Sequence, residues 1–481
     1  MTTPGRRPPT PLRLLRAAHP DKLHAWHGSC SHLTYLEHPL NKEEMIVMNL
    51  TMASYHVIRV EEAGKAGLEK GVLYLNTKDL QGLVLSDDRI TDMHLEIAYP
   101  GEETRIVHIL DAMEPRIKPE QQARCFPGFL GLPTTVGAGR TNRLAGTAVI
   151  ATAATVLLPS GQGTGVQEFN EGVIDMSGPG QSRCACSDTI NICLCMTFRE
   201  NLSTLDFDEA ARMALIKVSD RIAEVTLDRQ PDEETVYKTG VIDPDLPNVA
   251  YINQVQSQGH ICRTFLYAMP MEGFFTPTIL DPTELFDGAV VSGNYRNHLR
   301  TCTWLQQNNP YVLELFRRHG KECNFVGQVV SRGHYDDLGT KIRSGNFVAK
   351  LAAHLKAHAA VLSLEGTGNS NVDYMATVKA LENSGIVAVP VVHEFGGPGG
   401  DEEPLFDFAE EAVSVVSGGG IDRRIELPPM KRVIGGDSIR FTNSTSYNKS
   451  FDPHQPYTAI AHFFFCGFRS LQNHGWRCEE Y

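Results

Sequence analysis

Residues 360–392 read AVLSL-EGTGNSNVD-YMATVKALENSG-IVAVPVV, and this stretch decides the fold. A short apolar run, 360–364, predicts a buried strand. A loop rich in Gly and Asn interrupts it. Residues 372–384 carry apolar side chains at helical spacing and stop at Gly385, a residue suited to the left-handed conformation after a helix. A second apolar run, 386–392, predicts another strand. Strand, helix and strand in succession predict a parallel βαβ unit. The same rhythm extends upstream, with strands over 248–255 and 324–330 and helices over 311–319 and 337–358. Downstream, 401–416 reads as an acidic helical segment followed by a short strand.

The half before it has a different grammar. From Tyr55 the chain alternates in short runs (HVIRV, GVLYLN, GLVLS, HLEIAYP, TRIVHIL), each bounded by turn residues, which predicts short strands. The runs 144–159 and 190–198 continue the strands, and 206–225 predicts an amphipathic helix with acidic residues in its first turn. The polar stretch 226–247 reads as a linker. The predicted class is α/β with a β-rich N-terminal domain and a C-terminal doubly wound, mostly parallel sheet. The predicted divisions are an arm over 1–52, the β-rich domain over 53–235, the α/β domain with a substrate cleft over 236–436, and an aromatic tail over 437–481.

The 481 residues hold 44 Lys and Arg against 57 Asp and Glu, a net charge of −13. That acidic balance argues against a general nucleic-acid binder and against docking on an anionic membrane. No run approaches the roughly 20 apolar residues of a membrane span. The first residues, MTTPGRRPPTPLRLLRAAHP, lack the apolar core of a secretory signal and read as a flexible or partner-binding arm. Eleven cysteines, an odd number, predict reduced thiols and a cytoplasmic location.

Chemistry concentrates at two places. Glu365, Gly366, Gly368, Asn369 and Asp373 lie where a strand's carboxyl end meets a helix, and His393 and Glu394 close the next strand. Open α/β sheets place ligands at such an edge. The loop has neither phosphate-binding glycine pattern, so a plain turn is the competing reading. Cys184, Cys186, Cys193 and Cys195 form C-x-C-x₆-C-x-C, which is not zinc spacing; Cys193 and Cys195 would share one face of a strand as small apolar residues. His354 and His358 share a predicted helix face without a third ligand nearby. No metal is expected.

A series of stretches, taken together, resembles one family. The runs include FPGFLG, VGAGRTNRLAG, EGVIDMSGPG, DLPNVAYINQVQSQG, PTELFDGAVVSGN, HGKECNFVG, SLEGTGNSNVDYM and ELPPMKRVIGG, in order between Gly71 and Gly436. The chain is similar to the alpha/beta proprotein of component B of glycine, sarcosine and betaine reductases, and to the related D-proline reductase proprotein. The resemblance implies reductive C–N cleavage of a small amino acid or amine with thiol electron donors. It implies a partner subunit bearing a reactive thiol or selenol in a hetero-oligomer. It also implies self-cleavage before a cysteine that becomes a pyruvoyl group and captures the substrate amine.

In the relatives that cysteine directly follows Ser-Gly-Asn. Here Ser292, Gly293 and Asn294 are followed by Tyr295, whose hydroxyl is not on Cβ, so Tyr295 yields no pyruvoyl group. Cys302, in the same loop, is the candidate relocated precursor, ahead of Ser292. Two readings follow. In one, the protein is a reductase-complex subunit whose pocket is lined by Glu365, Gly368, Asn369, Asp373, His393 and Glu394. In the other, it is a non-catalytic scaffold or substrate-binding subunit for a thiol or selenol partner. Its arm and tail aromatics (Phe463, Phe464, Phe465, Phe468, Trp476) would then be interface elements.

Overall fold

A computed structural model describes residues 49–120, 123–153, 172–258, 263–293, 301–394, 396–397, 405, 407–412, 415–422, 424–443, 447–460, 463–467 and 477–479. The predicted arm over 1–52 lies almost entirely outside them, as do Phe468 and Trp476. The described chain is mixed α/β, with several sheets that include parallel strands.

The N-terminal half builds two larger sheets and a small one of Arg59–Glu62, Val72–Leu75 and Gly67–Glu69. One of the larger sheets orders Glu233–Lys238, Asn49–His56, Gly139–Ala145 and Arg116–Ile117. The other orders Gly172–Asp175, Thr104–Met113, Thr147–Thr152, Ile190–Phe198 and Ile90–Ala98, and a late segment, Arg432–Ile434, joins Thr104–Met113 in parallel. The apolar run 144–159 is not one strand. Gly146 takes a left-handed φ of 85° and divides it.

Helix Thr204–Ala223 lies on these sheets. Ser203 caps it by accepting from the Asp206 N–H at 3.1 Å. Phe207, Ala211, Leu215 and Val218 recur at helical spacing and pack with Met93, Leu110, Val149 and Ile192.

The C-terminal sheet orders Thr278–Leu280, Asn324–Gly333, Asn248–Gln256, Ala359–Leu364, Val387–Glu394, Val415–Gly420 and Arg477–Glu479. The five central strands run parallel, in the sequence order second, first, third, fourth, fifth. Their side chains alternate between two cores. Ala250, Ile252, Ala360 and Leu362 meet helices Leu338–His354 and Asn369–Asn383 on one face. Tyr251, Val255, Phe325 and Val330 meet Leu285, Phe286, Tyr311 and Leu315 from Pro282–Phe286 and Pro310–Arg318 on the other. Such two-sided burial explains why these strands read as continuous apolar runs.

Several local expectations change. GLVLS falls in helix Thr77–Val84 and the turn after it, because Asn76 accepts from the Asp79 N–H and starts a helix there. The linker 226–247 contains the strand Glu233–Lys238, paired with Asn49–His56. It looks like linker because most of its side chains face water. In the acidic segment 401–416, residues 407–412 form turns instead of helix, and strand Val415–Gly420 begins at its end. His354 closes its helix, whereas His358 lies beyond it and accepts from the Asn248 N–H through Nδ1 at 3.0 Å, so the two do not share a helix face. Finally, Phe463, Phe464 and Phe465 are buried in the chain's own core with Ile106, Val173 and Ile434, which removes them as a free interface.

Candidate functional site

The first and third parallel strands are neighbours, and the chain leaves their carboxyl ends toward opposite sides of the sheet. A crevice opens at such a switch point. Glu365, the first residue past the third strand, sits in it with 3% of its surface exposed. Its carboxylate accepts from the Gln256 N–H at 2.9 Å and from Gln306 Nε2 at 3.0 Å. Gly366 follows with φ 87°. A Cβ there would lie 2.6 Å from both Gln256 Oε1 and Ser370 Oγ, so the close approach requires glycine.

Gly368, at φ 63°, leads into helix Asn369–Asn383. Asn369 donates to the Tyr335 carbonyl at 3.1 Å. Asp373 accepts from Lys341 Nζ at 2.6 Å and from the His334 N–H at 2.8 Å. Burial pushes its carboxyl up, and Lys341 counters in part. Asn369 and Asp373 therefore brace the loop that precedes helix Leu338–His354. His393 is buried at the end of the fourth strand, and Glu394 is half-buried beside it.

The crevice also holds polar atoms that have no protein partner among the described residues: Gln256 Oε1, Thr367 Oγ1, Ser370 Oγ, Asn371 Oδ1 and Glu394 Oε1. Deeper in the same strands, Asn253 Oδ1, Ser331 Oγ and both ends of the Gln328 amide are in the same state. Buried polar groups are nearly always bonded, so these exceptions make the strand ends a candidate site for a small polar ligand.

The sequence reading missed Asn253, Gln256, Gln306 and Gln328. One signal was present: Asn and Gln replace apolar residues toward the end of an otherwise buried strand, INQVQSQ. The QQNNP run is likewise explained residue by residue. Gln306 bridges Asn253 Nδ2, at 3.0 Å, and Glu365. Gln307 clasps the backbone of Glu114. Asn308 accepts from Arg116, and Asn309 caps helix Pro310–Arg318.

Of the loop expected to carry the covalent chemistry, the two ends are described. Ser292 is buried, and its N–H donates to Thr303 Oγ1 at 2.9 Å. Asn294 and Tyr295 lie outside the described residues. Cys302 is buried and precedes the short helix Thr303–Gln307 that carries Gln306. Its N–H donates to Cys466 Sγ at 3.3 Å. Burial pushes the Cys302 thiol up. Hydrogen bonds with the Cys186 and Cys466 thiols and with the N–H groups of Leu305 and Trp304 outweigh that and hold it well below an ordinary cysteine.

Asp111 stands next to it. Its carboxyl accepts from the Thr303 N–H at 2.9 Å and meets Thr303 Oγ1 at 2.6 Å. Burial, and then the charge of Cys302, push it up to about 8. The folded protein thus holds a proton here that the unfolded chain releases above the ordinary value of 3.8. This contribution to stability is complete below pH 4 and is lost as pH rises through about 8, by at most about 1.4 kcal/mol per pH unit. Glu284, pushed up to about 7 by burial, acts in the same direction. The lowered Cys302 thiol acts in the opposite direction, so the difference is the test: urea midpoints measured from pH 5 to pH 9 are expected to fall less, or rise more, with pH in Asp111→Asn than in the wild type.

The four clustered cysteines are all buried in one core. Cys184 and Cys186 lie in a turn, while Cys193 and Cys195 are buried along Ile190–Phe198. Among the described residues, one trio, His94, Glu96 and Cys195, brings metal-ligating atoms within 4.8 Å of one another. Arg432 already pairs with Glu96 at 2.7 Å, which leaves that carboxylate poorly placed for a cation. No helix among the described residues is long and apolar enough to cross a membrane.

The family model for glycine/sarcosine/betaine reductase component B subunits matches residues 48–476. The sarcosine reductase complex component B subunit alpha of Peptoclostridium acidaminophilum is 36% identical over 395 residues, 81% of this chain and 89% of that protein. The glycine reductase complex component B subunits alpha and beta of Acetoanaerobium sticklandii are 34% identical over the same shares. The betaine reductase complex component B subunit alpha of Peptoclostridium acidaminophilum is 32% identical over 403 residues, 81% of this chain and 88% of its own. No solved structure matches. A family match over residues 48–476, with relatives 32–36% identical over 81% of the chain, makes the chain a member of the glycine/sarcosine/betaine reductase component B family.

Proposed function

We propose that the protein is the substrate-holding subunit of an amino-acid or amine reductase complex. It binds a small amine at the switch-point crevice for reductive C–N cleavage, with electrons supplied by thiols. The observation that carries this reading is the buried carboxylate of Glu365 among polar atoms without protein partners. Carboxylate, amide and hydroxyl oxygens converging on one small space suit an ammonium or methylated ammonium group. The relatives are named for glycine, sarcosine and betaine, which share a carboxylate and such a nitrogen.

In this reading substrate is held without a Schiff base. Residue 295 is a tyrosine, and its phenol oxygen can neither attack the preceding carbonyl at Cβ distance nor leave by β-elimination. Cys302 carries the Cβ thiol that such chemistry needs. Its sulfur is instead enclosed by two other thiols, and this reading keeps it as a thiol. Intact-mass measurement is expected to give one species of about 53.1 kDa. Borohydride treatment with glycine or sarcosine is expected to leave that mass unchanged. Two fragments breaking before Cys302, with an amine adduct on the new end, would overturn it and restore a relocated pyruvoyl group.

A further inference from the structure

Cys186, Cys302 and Cys466 come from a turn, a loop and the C-terminal segment, and they meet inside the core. The middle position belongs to Cys302, which touches both of the others. The three sulfurs are not a compact cage, because they do not form a set lying mutually within 4.8 Å. Cys302 is the residue that meets both of the others, an arrangement that suits pairwise sulfur bonding.

Backbone geometry adds a second, independent observation. Cys186 and Cys466 both adopt left-handed conformations, with φ of 62° and 53°. Residues with a Cβ rarely take this form, and each such residue costs about 1–2 kcal/mol. Strain of this kind collects where a side chain must be aimed. Here both strained residues aim a thiol at the same third thiol.

We propose that Cys302 is the shared partner of a three-thiol exchange relay, forming a disulfide with either Cys186 or Cys466. This inference rests on the reductase reading above, and adds that the chain stores a reducing pair of its own. The step balances with a disulfide as electron acceptor. The Cys302 thiolate attacks R–S–S–R and displaces one R–S⁻. The Cys186 or Cys466 thiol then attacks the mixed disulfide and displaces the second. Two protein thiols lose two electrons and two protons, one S–S bond forms within the chain, and two R–SH are released. Asp111, beside Cys302, is placed to take up and return the proton of the central thiol. Gln306, four residues on, donates its N–H to the Cys302 carbonyl at 3.0 Å, so the relay stands about one helical turn from the crevice.

The test uses the full chain equilibrated in glutathione buffers of increasing disulfide fraction. It is then trapped with iodoacetamide under denaturing conditions and mapped by mass spectrometry. The expected result is a reversible Cys302–Cys186 or Cys302–Cys466 disulfide, cleared by dithiothreitol, while Cys193 and Cys195 are recovered alkylated. Cys302→Ser should abolish both links, and Cys186→Ser should leave only Cys302–Cys466. Should either variant fail to fold, the wild-type map still decides. Cys302 recovered fully alkylated at every ratio overturns the proposal, as does a Cys186–Cys466 link with Cys302 free. Neither readout involves substrate, so failure here leaves the crevice reading to its own binding test.

Discussion

Asp175→Ala is expected to lower the stability of the protein by about 3–5 kcal/mol, the loss typical of one partner removed from a buried ion pair. Arg105 and Asp175 face each other on paired strands, and neither side chain is exposed. The guanidinium donates Nε to one carboxylate oxygen at 2.6 Å and Nη2 to the other at 3.0 Å. Its remaining donors reach the carbonyls of Pro453, at 2.7 Å, and Pro428, at 3.2 Å, and it lies 4.8 Å from the centre of the Tyr457 ring. Without Asp175 the cation keeps only neutral partners in a site closed to water. Urea denaturation of wild type and variant measures the effect. A loss below 1 kcal/mol would show that the two neutral carbonyls and the ring suffice. The isosteric Asp175→Asn should recover part of the packing but not the charge, and should fall between the two.

Glu365→Ala is expected to weaken binding of the amine substrate by about 1.5–3 kcal/mol, roughly 10- to 150-fold, as for a lost hydrogen bond to a charged group. It also strips Gln306 and the Gln256 N–H of their acceptor. Calorimetric titration with glycine, sarcosine and betaine reads the change. Circular dichroism separates it from unfolding. Glu365→Gln keeps the shape and loses the charge, so it should bind a cationic amine nearly as poorly. Unchanged affinity in both variants would remove Glu365 from the site.

How far the sequence reaches can be judged from particular residues. The strand at 190–198 was legible because both its faces are buried and it reads as one apolar run, and the helix predicted over 206–225 and found at Thr204–Ala223 was legible from its helical apolar spacing. The parallel strands were legible because both their faces are buried. Glu365, His393 and Glu394 were legible as strand ends, a matter of local order. What failed was either set by capping, as where Asn76 turns a strand-like run into helix, or hidden by exposure, as in the edge strand Glu233–Lys238. Long-range pairing was beyond reach. Nothing near Cys302 in the sequence points to Cys466, 164 residues away, or to Cys186. Nothing near Arg105 points to the carbonyl of Pro453.

That last separation has a consequence for biogenesis. Arg105 and Pro453 are 348 residues apart, and the Arg432–Ile434 segment and Phe464 complete the same early sheet. At about 5–20 residues per second, a ribosome needs on the order of 20–70 s to deliver them. Through most of that interval the nascent N-terminal sheet holds Arg105 with Asp175 but without the carbonyls of Pro428 and Pro453, and it keeps an open edge, so the half made first can finish maturing only after the half made last has arrived.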